Sequence, residues 1–377
     1  MLVLPPLAEY QLDDAEALLT PALLVYPEIV DANIAATIRM AGDDPNRWRP
    51  HIKTVKIPAV LELMMAHGVQ QFKCSTTLEL LLACRAGARD VLLAFPVMGA
   101  NAMRVKEIAA EYPLTKVSAL IEDAAQAEIW RGSNIGIFID VNSGMNRTGV
   151  DPDRLAEIAA LAVQLGQQFR GVHFYDGHIA NAHDEAIAHE GYDRLTTIVR
   201  SLEEMGVPVR EVITSGTPAA PLAMTYAAFR TGKFEHRISP GTVVFNDVKS
   251  LEQLAGFGYQ PAVLVLATVV SHPKPGIITC DAGHKSVSAD AGVPTCAVLG
   301  HPNWKPLKPS EEHLPIEVPE AEVPKLGEKL YLLPRHVCPT VNNFDEAIFV
   351  VNRHVQKAIP VSARGHESPL TLATVRR

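Results

Sequence analysis

Several short stretches of this 377-residue chain carry side chains whose types and spacing suit chemistry. In Arg49-Pro50-His51-Ile52-Lys53 a lysine stands at the end of an expected buried strand. Desolvation there would lower its pKa and make the amine a nucleophile or Schiff-base former, with a plain surface lysine as the alternative. Arg147 stands glycine-bracketed at a strand end, in Asp140-Val141-Asn142-Ser143-Gly144-Met145-Asn146-Arg147-Thr148-Gly149. Its guanidinium could reach an anionic or phenolate oxygen, or close a loop ion pair of little consequence. His173-Phe174-Tyr175-Asp176-Gly177-His178 gathers groups for acid–base work or for stacking on a ring; the alternative is a structural aromatic with satisfied polar neighbours. Ser215-Gly216-Thr217-Pro218 and Ser239-Pro240-Gly241-Thr242 offer small residues and backbone N–H groups to a phosphate, although ordinary turns use the same residues. In Pro334-Arg335-His336-Val337-Cys338-Pro339-Thr340, a histidine and a cysteine two apart on a strand end would project to one side. They could hold a borderline-soft ion such as zinc and leave positions open for water and substrate, or be a buried thiol beside a solvated imidazole.

These residues need a scaffold. From about residue 20 to 250, apolar runs of strand length alternate with helical stretches. Ala22–Tyr26, Val91–Phe95, Val117–Ile121, Ile135–Val141, Gly171–Tyr175 and Val209–Thr214 lack strict alternation, as strands covered on both faces do. Weaker runs lie near Arg49–Ile52, Gln71–Cys74 and Ile238–Phe245. Asp153–Gln168 and Glu185–Met205 have helical spacing of apolar residues. This beat predicts an α/β fold built on a TIM-type (β/α)8 barrel over 20–250, with chemistry at the C-terminal strand ends and a phosphate after the late strands. The paired Ser/Gly/Thr loops therefore point to a phosphate-bearing cofactor. Residues 251–365, with 1–19, read as an antiparallel β domain that carries the His-x-Cys motif. Its strands are Ala262–Val270, Ile277–Cys280, Lys329–Leu333, Ala347–Val351 and Ala358–Ser362, with a proline-rich surface loop between Pro306 and Pro324 and a loose tail after Arg364.

Thirty-four basic against 42 acidic side chains leave a net charge of −8, a poor footprint for nucleic acid. Five scattered cysteines make no disulfide framework and suit a reducing cytoplasm. The N-terminus lacks a basic region before its prolines, and no apolar run reaches membrane-spanning length, so neither a signal peptide nor a membrane segment is expected.

In order along the chain, RPHIKTVK, VNSGMNRTGV, HFYDGH, SGTP, SPGTVVFND, DAGHKSVSAD and RHVCPTVN resemble the D-threonine aldolase and D-serine dehydratase family of pyridoxal-phosphate (PLP) enzymes. The resemblance runs from about Thr20 to Gly365. It implies the alanine-racemase-like fold (PLP fold type III), whose β domain also takes the N-terminal strand, and a homodimer. Lys53 would be the Schiff-base lysine, and Arg147 would contact the 3′-oxygen side of the cofactor. Tyr175 would lie beside cofactor and substrate, and Ser215, Gly216, Thr217, Gly241 and Thr242 would surround the phosphate. His336 and Cys338 would bind a divalent metal, zinc or else manganese or magnesium. The implied substrate is a 3-hydroxy-D-amino acid, either cleaved to glycine and an aldehyde or dehydrated to a 2-oxo acid and ammonia. The chain departs from the family pattern at Val55, where many members have histidine, and at Cys338, where aldolases place aspartate and dehydratases cysteine. Asn181 stands where the aldolase pattern has a proposed histidine base, with His178 and His183 as nearby substitutes; His178 is taken as a catalytic candidate. A racemase would need a tyrosine base from the second half, which holds only Tyr259 and Tyr331. A PLP carrier without turnover would have no use for the His-x-Cys pair.

Overall fold

The structure, a computed structural model, describes residues 4–181 and 184–369. His183 and the end of the tail, 370–377, lie outside the described residues. The chain divides into two compact units, one of Pro45–Lys53, Gly68–Ser239 and Ala363–Arg377, the other of Met1–Asp44, Thr54–His67 and Pro240–Ser362.

The first strand of the chain, β1 (Ala22–Val25), belongs to the second unit and is described with it. Seven parallel strands form the sheet of the first unit: β2 (Gln71–Cys74), β3 (Asp90–Leu93), β4 (Lys116–Ile121), β5 (Gly136–Asp140), β6 (Phe169–Phe174), β7 (Glu211–Thr214) and β8 (Glu235–Ile238). The eighth position is filled by Trp48–His51, which bridges Ile238 on one side and Lys73 on the other and so closes the barrel. Arg49 N–H donates to the Ile238 carbonyl at 2.8 Å, and Lys73 N–H to that of Pro50 at 2.9 Å. The strands are short because each need only cross one layer of core between loops. Two of their helices start where a side chain accepts an orphan N–H: Thr76 Oγ1 from Glu79 at 3.1 Å, and Asp123 Oδ1 from Gln126 at 2.7 Å. The helix Glu185–Glu204 buries Ala188, Tyr192, Leu195, Ile198, Val199 and Leu202, the stripe its spacing predicts.

The N-terminal ends of the strands hold a buried ion network. Arg49, wholly buried, pairs with Glu211 at 2.8 Å and Asp90 at 2.9 Å. Arg170 reaches Asp90 at 2.6 Å, and Arg237 reaches Glu211 at 2.8 Å. Asp90 and Glu211 open β3 and β7, so this layer seals the barrel floor opposite the strand ends where barrel chemistry collects. The tail is less loose than expected as far as it is described, since Glu367 pairs with Arg104 at 2.9 Å.

The second unit holds a nine-stranded sheet. Besides β1, its strands are β9 (Val263–Lys274), β10 (Ile277–Cys280), β11 (Cys296–Val298), β12 (Lys305–Pro306), β13 (Leu314–Glu317), β14 (Lys329–Pro334), β15 (Glu346–Val351) and β16 (His354–Pro360). β1 pairs antiparallel with β9 and parallel with β15. Ala22–Tyr26 is therefore not a barrel strand. Its unbroken apolar run reflects an interior place with a parallel neighbour, which the sequence cannot distinguish from a barrel position. Two further strand expectations are corrected. Ile238 ends β8 rather than beginning a strand, and 239–245 is a loop with the 3-10 turn Thr242–Val244. The proline-rich stretch is not all loop, because Leu314–Glu317 pairs with Ile277–Cys280. Tyr331 is buried with its hydroxyl accepting from Leu12 N–H at 2.9 Å, and Tyr259 donates to Thr37 Oγ1 at 3.2 Å. Both tyrosines of the second half are thus built into the framework. No helix among the described residues is long and apolar enough to cross a membrane.

Candidate active site

In the first unit the chemically suggestive residues converge on the C-terminal ends of the strands. Lys53 lies in the turn that follows the closing segment, half-buried, its N–H donating to His51 Nδ1 at 3.2 Å. It is a half-buried turn residue rather than the enclosed strand-end lysine that the sequence predicts. That description fits Lys73, the third residue of β2, which is fully buried. Burial, and then the neighbouring Lys53 charge, push its ammonium down to about 7 against the pull of Asp140. Lys73 Nζ lies 5.1 Å from the centroid of the Tyr175 ring, and the guanidinium carbon of the exposed Arg147 lies 4.9 Å from it. Two cations thus share one aromatic ring.

Tyr175 is held by small neighbours. A Cβ on Gly177 would meet its ring at 2.4 Å, and one on Gly216 would meet its hydroxyl at 3.1 Å. Its carbonyl accepts from Ser143 Oγ at 2.6 Å, which ties the Arg147 loop to the end of β6. His173 packs beneath, fully buried, with Nδ1 2.6 Å from Asp140 Oδ1. Burial and the Lys73 charge lower it to about 4, so its ring is neutral at pH 7. His178 is exposed, and a Cβ on Gly144 of the Arg147 loop would lie 3.6 Å from its Nε2.

Ser215 takes a left-handed backbone, φ 64°, which throws the chain outward after β7. Its hydroxyl is committed inward, donating to Thr214 Oγ1 at 2.9 Å beside Tyr192 and Asp176. Tyr192 donates to Asp176 at 2.7 Å. Burial raises the Asp176 carboxyl against the hydrogen bonds from Tyr192 and the Gly216 N–H. Ser239 N–H donates to the Ser215 carbonyl at 3.0 Å, joining the loops after β7 and β8, and Thr217 is buried just beyond. Lys73 Nζ, Asp140 Oδ2, His173 Nε2, Asp176 Oδ1 and Ser239 Oγ are buried with no hydrogen-bond partner among the described residues. Interiors pair nearly all such atoms. Five of them at one end of one barrel mark where a polar, charged ligand belongs, and they fit a phosphorylated cofactor.

In the second unit His336 and Cys338 do meet, though not as neighbours on a strand. His336 caps the short helix Val337–Val341, and Cys338 lies in its first turn. Asp247 Oδ2 fixes that turn by accepting from Val337 N–H at 3.0 Å, and Thr340 Oγ1 donates back to the His336 carbonyl at 2.9 Å. His336 Nδ1 is 2.6 Å from Asp290 Oδ2, whose other oxygen accepts from Ser288 Oγ at 2.9 Å. Burial depresses the imidazole, but its hydrogen bond with Cys338 and the Asp290 carboxylate carry it up to about 9. Cys338 Sγ is also 3.0 Å from Thr54 Oγ1 and 3.4 Å from Thr242 Oγ1. Thr242, expected at the phosphate with Gly241, therefore has its hydroxyl on the thiol, and Gly241 caps the 3-10 turn. An imidazole oriented by a carboxylate, beside a thiol, is a donor set that fits a borderline-soft divalent ion. Among the described residues no group of three or more His, Cys, Asp or Glu is arranged to hold one.

The family defined by the alanine racemase N-terminal domain matches residues 27–245, and the putative serine dehydratase domain matches 262–350. The chain belongs to the D-threonine aldolase and D-serine dehydratase family. Members are PLP-dependent lyases of alanine-racemase-like fold. It is similar to D-threonine aldolase of Arthrobacter, 28% identical over 92% of this chain and 93% of the relative. It is also similar to 3-hydroxy-D-aspartate aldolase of Paracoccus denitrificans, 28% identical over 93% and 94%. The crystal structure of D-threonine aldolase from Filomicrobium marinum superposes with a TM-score of 0.83 at 26% identity, covering 93% of this chain and 96% of that one. The family sequence RPHxK thus divides its labour here: Arg49 locks the floor of the barrel, and Lys53 lies beyond its opposite end.

Proposed function

We propose that this lyase uses PLP and a divalent metal to cleave 3-hydroxy-D-amino acids of the D-threonine type into glycine and an aldehyde. The observation that carries the reading is the set of unpaired buried polar atoms at the strand ends around Lys53, Arg147 and Tyr175. Lys53 would hold the cofactor through its amine and exchange it for the substrate amine. Arg147 would neutralise the ring oxygen, and Tyr175 would pack against cofactor and substrate. Ser215, Gly216, Thr217, Gly241 and Thr242 would surround the phosphate, with backbone groups contributing where the Ser215 hydroxyl is turned inward. When bound, the cofactor supplies a ring that delocalises the electron pair released at Cα. His336 and Cys338 would hold the metal with Asp290 steering the imidazole; when bound, the metal supplies a Lewis acid for the β-hydroxyl.

His178 is the proposed base. By taking the hydroxyl proton it lets the Cα–Cβ bond break, leaving an aldehyde and the glycine carbon. If Lys53 instead takes the Cα proton, hydroxide leaves Cβ and the product becomes a 2-oxo acid with ammonia. Cys338, the residue that the dehydratase pattern carries, favours this second reading. The two tyrosines of the second half, each occupied in the framework, speak against a racemase base. The enzyme is taken to be a homodimer in the cytoplasm, the former to be checked by sedimentation.

Mass spectrometry of products from D-threonine, with PLP and divalent metal and beside a chelated control, tests the reaction. Glycine with acetaldehyde, lost on chelation, is expected. 2-Oxobutyrate with ammonia would make the enzyme a dehydratase. Borohydride reduction followed by peptide mapping is expected to find the cofactor on Lys53.

A further inference from the structure

Lys73 is a buried cation that the motif readings leave unused. It is carried on β2, locked by its own N–H to Pro50 and by its carbonyl to the N–H of Ile52 at 2.8 Å. The residue is 2% exposed, and its buried Nζ has no hydrogen-bond partner among the described residues. The charged and titratable groups facing it are Lys53, Arg147, Asp140, Asp176 and His173, with the Tyr175 ring alongside. An enclosed amine with no partner is destabilising, and an apolar side chain of similar volume would avoid that cost. A strand position bounded by Phe72 and Cys74 would suit such a side chain.

We propose that Lys73 is a binding residue which, together with Arg147 at the Tyr175 ring, receives an anionic oxygen of the bound ligand. The inference rests on the PLP reading of the site. The oxygen is either the ionised ring oxygen of the cofactor or the carboxylate of the amino acid, and the same cation pair suits both. Arg147 is exposed, whereas Lys73 is enclosed and its ammonium is lowered to about 7, mainly by burial. An arriving anion favours its protonated form, so binding draws a proton onto Nζ and weakens as pH rises above 7.

The test uses the full chain with Lys73→Met and Lys73→Gln. The apo variants are expected to melt no lower than the native protein, since an unpaired buried amine has been removed. Binding of PLP, of its 3-O-methyl derivative, and of D-alanine to the cofactor-loaded protein is then measured. If the oxygen is the cofactor's, both variants bind PLP about ten- to a hundred-fold more weakly and show no such loss for the methylated derivative. If it is the amino acid's, PLP binding is unchanged and D-alanine binding falls by that factor. Equal affinities of native and variant proteins for all three ligands overturn the role of Lys73 while leaving the PLP reading intact. A native chain that takes up no PLP overturns both.

Discussion

At the scale of single residues, the site is defined by which side chains lack partners and which are held in place. His336 is oriented by Asp290 at 2.6 Å, so Asp290→Asn is expected to weaken metal binding about 10- to 100-fold, read by titration with a competing chelator. Cys338→Asp replaces a soft sulfur by a hard oxygen. It should move the preference from zinc towards manganese or magnesium, measured as the ratio of metals retained after dialysis against a mixture. Lys53, Arg147, Tyr175 and His178, the proposed site residues, stand out in the sequence because lysine, arginine, tyrosine and histidine in glycine-rich or polar strings are conspicuous. Lys73 could not be picked out in the same way: in Gln71-Phe72-Lys73-Cys74 nothing but its place inside a buried four-residue strand marks it. Asp290 and Asp140 stand inside the quoted motifs, but their pairings are illegible for a different reason. Each acts through a histidine more than 30 residues away, and sequence spacing carries no record of such pairings.

At the scale of elements, close backbone approach limits what the strands tolerate. Gly171 in β6 lies so close to β7 that a Cβ there would be 1.8 Å from the Glu211 carbonyl oxygen. Gly171→Ala is therefore expected to destabilise the chain by at least about 3 kcal/mol in urea unfolding, beyond the effect of overpacking alone. The barrel strands were legible because burial on both faces removes alternation and leaves compact apolar runs. That same signal misplaced Ala22–Val25, which lies between β9 and β15 and looks no different locally. Leu314–Glu317 was illegible among its prolines, since an edge-ward strand of four residues leaves too short a pattern to read.

At the scale of the whole molecule, stability is tied to the ion network on the barrel floor. Burial favours the neutral acid at Asp90, but Arg49 and Arg170 outweigh it and hold the carboxyl well below the usual range. A carboxyl depressed in the folded state contributes stability that is complete above its unfolded value, near pH 4, and is lost as pH falls through the lower folded value. The native protein should thus lose stability steeply below about pH 4. Arg49→Met should cost about 3 kcal/mol at pH 7, because the buried Glu211 and the half-buried Asp90 lose a partner, and should flatten that acid slope. Denaturant melts across pH 2–7 would show both effects. Failure of the slope to change would remove Arg49 from the account of acid sensitivity.

The placement of β1 has a consequence for how the chain is made. Leu23, Leu24 and Val25 leave the ribosome early, but their partners on β9 and β15 begin at Val263 and end at Val351. At about 5–20 residues per second, roughly 10–50 s of translation separates the strand from its first neighbour. Meanwhile the barrel strands β2–β8 emerge consecutively and can pair as they appear. A nascent chain stalled near residue 250 would hold an assembled barrel and an apolar strand with both edges bare, the form most in need of a chaperone.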